Sequence, residues 1–312
     1  MATISRPPRD VNDYQEMWLL VQDNPDEQRH VVDLPYRFCS PSATTRANAR
    51  IWRSEQGELV GWAILQWEFW TLDYAVRPGP HAADVSTRIL EWAIEGTAKR
   101  AVSWGEPLRL FVDVRDPGPP PALPLDTFGF TLYSAWRLLH LARPADLPAE
   151  ESITPTGFTI RPLAAMREVD AYVDLHRAAF QSTNMTREWR AAILRSPQYT
   201  PELDLVAVAP DGSLAGFCVC WLNREAQWAA GPEITGQIEP IGVLPKHQGH
   251  GLGRALLDEG IRRLAARGAR RMFIEADADN KAVIALDQSA GFGLQETIHK
   301  YMLAVPTATG RH

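Results

Sequence analysis

Along the second half of the chain, apolar positions switch between a two-residue spacing and a helical one. Phe158 to Pro162 reads as a strand, and Val169 to Phe180 as a helix with Tyr172, Leu175, His176 and Ala179 on one side. Leu205 to Val208 and Leu214 to Trp221 read as a hairpin about Pro210-Asp211-Gly212, a good turn sequence. Gln237 to Val243 predicts a further strand that stops at Pro245. Leu252, Leu256, Ile261 and Leu264, with Leu257 beside them, then fall on one side of a helix. Gly268 reads as the residue that closes this helix, and Arg271 to Ala276 as the next strand. Asn280 to Phe292 predicts a short helix ending in Gly-Phe, and Ile298 to Leu303 a last strand. The order is β-α-β-β-β-α-β-α-β over residues 156–305.

The first half repeats the second. Phe111-Val112-Asp113 parallels Phe273-Ile274-Glu275, an offset of 273 − 111 = 162. Gly129-Phe130 parallels Gly291-Phe292 at 291 − 129 = 162, and Leu141 to Pro144 parallels Leu303 to Pro306 at 303 − 141 = 162. Gly57 to Leu65 parallels Gly212 to Cys220 at 212 − 57 = 155, and Val76-Arg77-Pro78 parallels Val243-Leu244-Pro245 at 243 − 76 = 167. Thr3-Ile4 then matches Thr159-Ile160 as first strands. One offset of 162 shared by three separate elements, with nearby offsets of 155 and 167 at two others, implies two copies of one fold, joined near Pro144 to Thr156, a stretch rich in Pro, Glu and Thr.

Chemistry concentrates between Ile241 and Arg254. An apolar run ends at Pro245, Gly249, Gly251 and Gly253 alternate, and a helix begins. Unpaired N–H groups at a helix start, reached through glycines that let backbone approach closely, make an anion cradle. The Gly-Lys-Ser/Thr of a Walker A loop is absent, and the spacing does not fit a dinucleotide fingerprint. Gln248-Gly249-His250-Gly251-Leu252-Gly253 is similar to the Gln/Arg-x-x-Gly-x-Gly/Ala signature of the GNAT acyltransferase superfamily. The Val-x-Pro lead-in at Val243 to Pro245, the helix behind it and the Asn280 to Phe292 segment agree with that resemblance.

The resemblance implies an α/β fold (an α+β mixed sheet) of two tandem GNAT-like acyl-CoA N-acyltransferase domains: a degenerate one over 1–146, a linker at 147–156, and one with the acetyl-CoA site over 157–312. Acetyl-CoA is the implied cosubstrate, with Ile241, Gly242, Val243, Gln248, Gly249, His250, Gly251, Leu252, Gly253, Arg254 and Asn280 around it. A backbone N–H near Val243 is the implied oxyanion donor. Arg254 reads equally as a solvated cation, and Asn280 as a helix cap. Acyl transfer from a thioester to an amine also needs a base. Glu239 is the carboxylate on the strand entering the loop and the candidate base; a satisfied structural Glu is the other reading. The acid is where the chain departs from the family: Asp287 stands where a tyrosine commonly precedes the Gly-Phe, so either burial raises its pKa, another donor substitutes, or the thiolate leaves unassisted into water. Tyr301 and Ser289 are the nearest alternatives by sequence, and Tyr301 is taken as the candidate, with a core position as its other reading. In the first copy His81, Ala82, Asp84 and Ser86 replace Gln248 and the three glycines, and prolines at 117 and 119–121 stand in place of the Asn280 helix. That copy is expected to keep the fold and not bind CoA in the family manner. With Trp221, Phe180 to Trp189 would border the acceptor, and the first copy, rich in Trp62, Trp67 and Trp70, would close one wall.

Bulk properties narrow the partners. A chain of 312 residues allows two ordinary domains, and a net charge of −6 without a basic stripe argues against nucleic acid. No apolar run reaches membrane-spanning length and no signal peptide is visible, so no membrane partner is expected and the location is read as cytoplasmic. Three cysteines, Cys39, Cys218 and Cys220, suggest reduced thiols, and metal-ligand spacing is absent. The expectation is a monomer or homodimer that acetylates a small-molecule amine through a ternary complex. A non-catalytic acyl-CoA-binding or sensing protein, or an acetyltransferase of a protein or peptide amine, is the alternative.

Overall fold

The computed structural model describes residues 2–25, 33–118, 122–147, 153–228 and 231–307. The first half runs β1 (Thr3–Arg6), α1 (Val11–Gln22), α2 (Leu34–Phe38), α3 (Pro41–Thr44), β2 (Ala49–Ser54), β3 (Leu59–Gln66), β4 (Thr71–Val76), α4 (Ala82–Trp104), β5 (Leu108–Asp116) and β6 (Thr131–Pro144). The second runs β7 (Thr159–Pro162), α5 (Val169–Phe180), α6 (Arg187–Arg195), β8 (Asp204–Val208), β9 (Leu214–Asn223), a small hairpin of β10 (Gln227–Trp228) and β11 (Gly231–Pro232), β12 (Thr235–Val243), α7 (Leu252–Ala266), β13 (Arg271–Asp277), α8 (Lys281–Ser289) and β14 (Gly293–Val305). The periodic pattern places α5 at its observed bounds. It does not anticipate α6, whose Thr186 cap accepts a hydrogen bond from the Trp189 N–H and whose Trp189, Arg190 and Ile193 are buried.

Twelve strands form one sheet in the order β1-β2-β3-β4-β5-β14-β6-β13-β12-β9-β8-β7. In each half the third strand, β3 or β9, is a nearly continuous buried run, as expected where helices cover both faces. Helix α7 lies across β9 so closely that a Cβ on Gly260 would stand 2.9 Å from Cys220 Sγ and 3.2 Å from Cys218 Sγ. Both cysteines are buried and free, filling the space a small helix residue leaves.

The two halves trade their last strands. β6 of the first half pairs with β13 of the second, β14 of the second pairs with β5 of the first, and β6 and β14 pair with each other. His299 faces Arg137 there, and 299 − 137 = 162, the repeat offset itself. A local twofold axis therefore passes through the middle of the sheet. Along the chain the strands and helices of the first half end with β6 at Pro144 and those of the second begin with β7 at Thr159, but neither half is closed without the other's strand. Residues 148–152 of the expected linker, and Pro119 to Pro121, lie outside the described residues. Tyr301 requires a correction: carried by β14 into the first half, it pairs opposite Val112 and Leu132 and packs on that half's core.

Candidate active site

The site is built where two parallel strands part. β12 pairs with β13 only from Thr235 to Gln237; beyond that the strands diverge, while β12 stays bonded to β9 as far as Val243. The wedge opens into a cavity of about 530 Å³. Ile241, Gly242 and Val243 form one side, Ala282, Val283, Leu286 and Asp287 of α8 the other, and the glycine loop closes the end. Gly249 and Gly251 have φ of 77° and 82°, the left-handed region, so the turn needs glycine there. Gly251 precedes α7 without a side-chain cap, and the first intrahelical bond runs from Ala255 N–H to Gly251 O. The N–H groups of Leu252, Gly253 and Arg254 thus lack intrahelical acceptors at the mouth of the cavity, with no acid in the first turn. An anion-binding end and an apolar wall of Ile241, Val243, Val283 and Leu286 fit a phosphate-bearing thioester with an uncharged arm.

Every residue expected around the cosubstrate lines this cavity except His250, whose Nδ1 lies 2.7 Å from Gln248 O on the exposed side of the loop. Gln248 ties the loop down by donating to Val243 O at 3.0 Å. Asn280 caps α8, accepting from Val283 N–H, and also lines the cavity, so both expected roles are compatible. Arg254 holds Asp258 at 2.8 Å and donates to Ser289 Oγ at 3.0 Å, a brace between α7 and α8. Leu244 N–H bonds across to Ala215 O at 2.9 Å. Since successive N–H groups of a strand point to opposite sides, the N–H of Val243 points into the wedge, where the oxyanion donor is expected.

Glu239 sits on the same strand at a bulge: Ile238 faces Cys220 and Ile241 faces Cys218, so Glu239 and Pro240 together oppose Val219. A proline has no ladder donor, and the bulge accommodates it while re-aiming the carboxyl. Glu239 is half-buried, its backbone O accepts from Trp221 Nε1 at 2.9 Å, and its carboxylate accepts from Gln237 Nε2 at 2.9 Å. Desolvation, reinforced by the nearby Glu275 and Asp33 carboxylates, pushes its pKa up to about 8.

Asp33 belongs to the first half, which therefore reaches Glu239. Arg37 on α2 binds Asp33 at 2.7 Å and Asp73 of β4 at 2.9 Å and lies 4.5 Å over the Phe69 ring. Tyr36 packs 5.2 Å from Trp189 and 6.5 Å from Trp221, and Phe69 lies 5.6 Å from Trp189. The expected aromatic wall exists, but with a different membership. Trp62 is buried in the first half's own core, and Trp67 bonds Asn48. Tyr36 and Phe69 make the contact instead. Nothing in their spacing marks them, because α2 is a single short helix and Phe69 lies in the turn between β3 and β4.

The equivalent loop of the first half is closed. α4 begins at Ala82, and 82 + 167 = 249, so helix runs where the second half has its glycine loop. Asp84 stands in the first turn, accepting from Thr3 Oγ1 at 3.2 Å with Arg88 Nη1 at 3.8 Å. An acid fills the helix start where an anion would bind. Among the described residues no cluster of three metal-ligating side chains occurs, and no helix is long and apolar enough to cross a membrane.

The fold and this cleft define a tandem pair of GNAT-like domains. Residues 169–292 match the Acetyltransferase (GNAT) family. A mycothiol acetyltransferase of Pseudarthrobacter chlorophenolicus is 32% identical over 161 residues, 50% of this chain and 48% of that protein. The chain thus spans about half the length of such relatives. A GCN5-related N-acetyltransferase from Sphaerobacter thermophilus superposes with a TM-score of 0.65 over 99% of this chain and 98% of its own, at 20% identity. A tandem GNAT protein from the clavulanic acid biosynthesis pathway does so with 0.65 over 99% and 100%, at 14% identity.

Proposed function

We propose that the protein transfers the acetyl group of acetyl-CoA to a primary amine of a small molecule, by direct attack in a ternary complex. One arrangement carries this reading: a desolvated glutamate lies on the splayed strand β12, and a glycine loop at a helix start follows that strand. The N–H groups of Leu252, Gly253 and Arg254 would take the pyrophosphate, and the wall of Ile241, Val243, Val283 and Leu286 the pantetheine arm. Glu239 takes the amine proton, and Val243 N–H stabilises the oxyanion. The similarity to mycothiol acetyltransferases favours a small-molecule acceptor over a protein amine and puts mycothiol-related amines first among those to try.

Thiol release from acetyl-CoA across a panel of primary amines tests the reading. A glutamate base with a pKa of about 8 predicts a rate that climbs with pH toward that value. Glu239→Gln is expected to lose that acid limb and to lower kcat about 10²- to 10⁴-fold. An unchanged pH profile removes Glu239 from the reaction. Stoichiometric acetyl-CoA binding with no amine acetylated would instead favour a non-catalytic acyl-CoA-binding protein.

A further inference from the structure

The arrangement above leaves the departing sulfur without a proton donor, since Tyr301 lies in the other half's core. One carboxyl side chain lining the cavity has no assigned part. Asp287, on α8, is 1% exposed and lines the cleft beside Val283 and Leu286. Neither of its carboxyl oxygens has a hydrogen-bond partner. The guanidinium groups of Arg254 on α7 and Arg143 on β6 bond elsewhere: Arg254 to Asp258 and Ser289, Arg143 to the carbonyls of Ala290, Pro144 and Leu147. A buried carboxylate with neither cation nor donor is among the costliest groups a protein can hold, and a neutral carboxylic acid is far cheaper. Desolvation accordingly raises the Asp287 pKa to about 7. Burial against an apolar wall thus supplies a proton at neutral pH, a property an ordinary aspartate lacks.

We propose that Asp287 enters the reaction as the neutral acid and gives its proton to the sulfur of CoA, directly or across one water. The assignment rests on the transferase reading. The amine nitrogen bonds to the acetyl carbon and passes its proton to the Glu239 carboxylate. The carbon–sulfur bond breaks, its electron pair stays on sulfur, and sulfur takes the Asp287 proton. Glu239 then loses one proton to solvent and Asp287 regains one, so no other reactant is needed. Donor and base titrate close together, and the form with Asp287 neutral and Glu239 ionised is a minor one. The rate should therefore trace a narrow bell with its maximum between pH 7 and 8.

The test uses the intact chain and Asp287→Asn and Asp287→Tyr variants. Infrared difference spectra of the free protein should show a neutral-carboxyl band that disappears as pH rises through about 7. That band should be missing from Asp287→Asn. Calorimetry should find acetyl-CoA binding within a few-fold of wild type. With an amine that the wild type acetylates, Asp287→Asn should lose about 10²-fold or more in kcat together with the alkaline limb, and Asp287→Tyr should recover part of the rate. A variant lacking the carboxyl that keeps both rate and alkaline limb overturns the proposal alone, as does a wild-type protein without the titrating band. No acetyl-CoA binding by the wild type, or binding without acetylation of any amine, overturns the transferase reading and the donor role with it.

Discussion

At the scale of single residues, the proposed reaction centre depends on side chains placed where their charged forms are expensive. Asp287 shows this in stability as well as in chemistry. Its pKa is about 7 in the folded chain and near the ordinary 3.8 in the unfolded one. The folded state therefore binds the extra proton between those values, so stability is highest at low pH and falls as pH rises through about 7. Asp287→Asn is expected to flatten that fall and to be more stable than wild type by about 2–4 kcal/mol above pH 7, the gap closing toward pH 4. Thermal or urea unfolding across pH 4–8 measures it; parallel curves for the two proteins would contradict the burial argument. The sequence singles out Asp287 as a departure from a family pattern. Only its surroundings show why an aspartate can stand there, because desolvation is a property of neighbours that no spacing records.

At the scale of elements, one loop distinguishes the two copies, open in the second and closed by helix in the first. Gly249 and Gly251 hold left-handed backbone, whereas the equivalent Ala82 and Asp84 are helical and Asp84 occupies its own helix start. Gly251→Asp should therefore cost about 1 kcal/mol in backbone strain and set a carboxylate against the pyrophosphate. We expect acetyl-CoA affinity to fall at least 100-fold with only a few degrees lost in Tm, and calorimetry of the wild type to give one site per chain. Two sites would mean that the first copy binds through other contacts. This contrast was legible in the sequence, since glycine at such φ has few substitutes. Helix α6 and the short α2 were not: each draws its stability from burying Trp189 or Tyr36 against the other, rather than from a long periodic pattern.

At the scale of the whole molecule, the exchange of β6 and β14 makes the two copies one structure. Cut from the chain, residues 153–312 would expose the edge of β13 that β6 covers and leave β14 without β5 and β6. Such a fragment is expected to associate into dimers or aggregates and to bind acetyl-CoA poorly. A monomer by light scattering with full-length affinity would show that the exchange is dispensable. The sequence by itself determined the two copies, the order of the second copy's strands and longer periodic helices, and the glycine loop proposed to receive an anion. Each of these is written in local spacing and in glycines that local backbone geometry requires. The tertiary structure alone decided that Tyr301 serves the opposite half, that Asp33 and Tyr36 of the first copy reach Glu239 and Trp221 of the second, and that Asp287 lies unpaired in an apolar wall. Those outcomes depend on which strands pair across 162 residues of chain and on what is thereby buried, and neither is a local property.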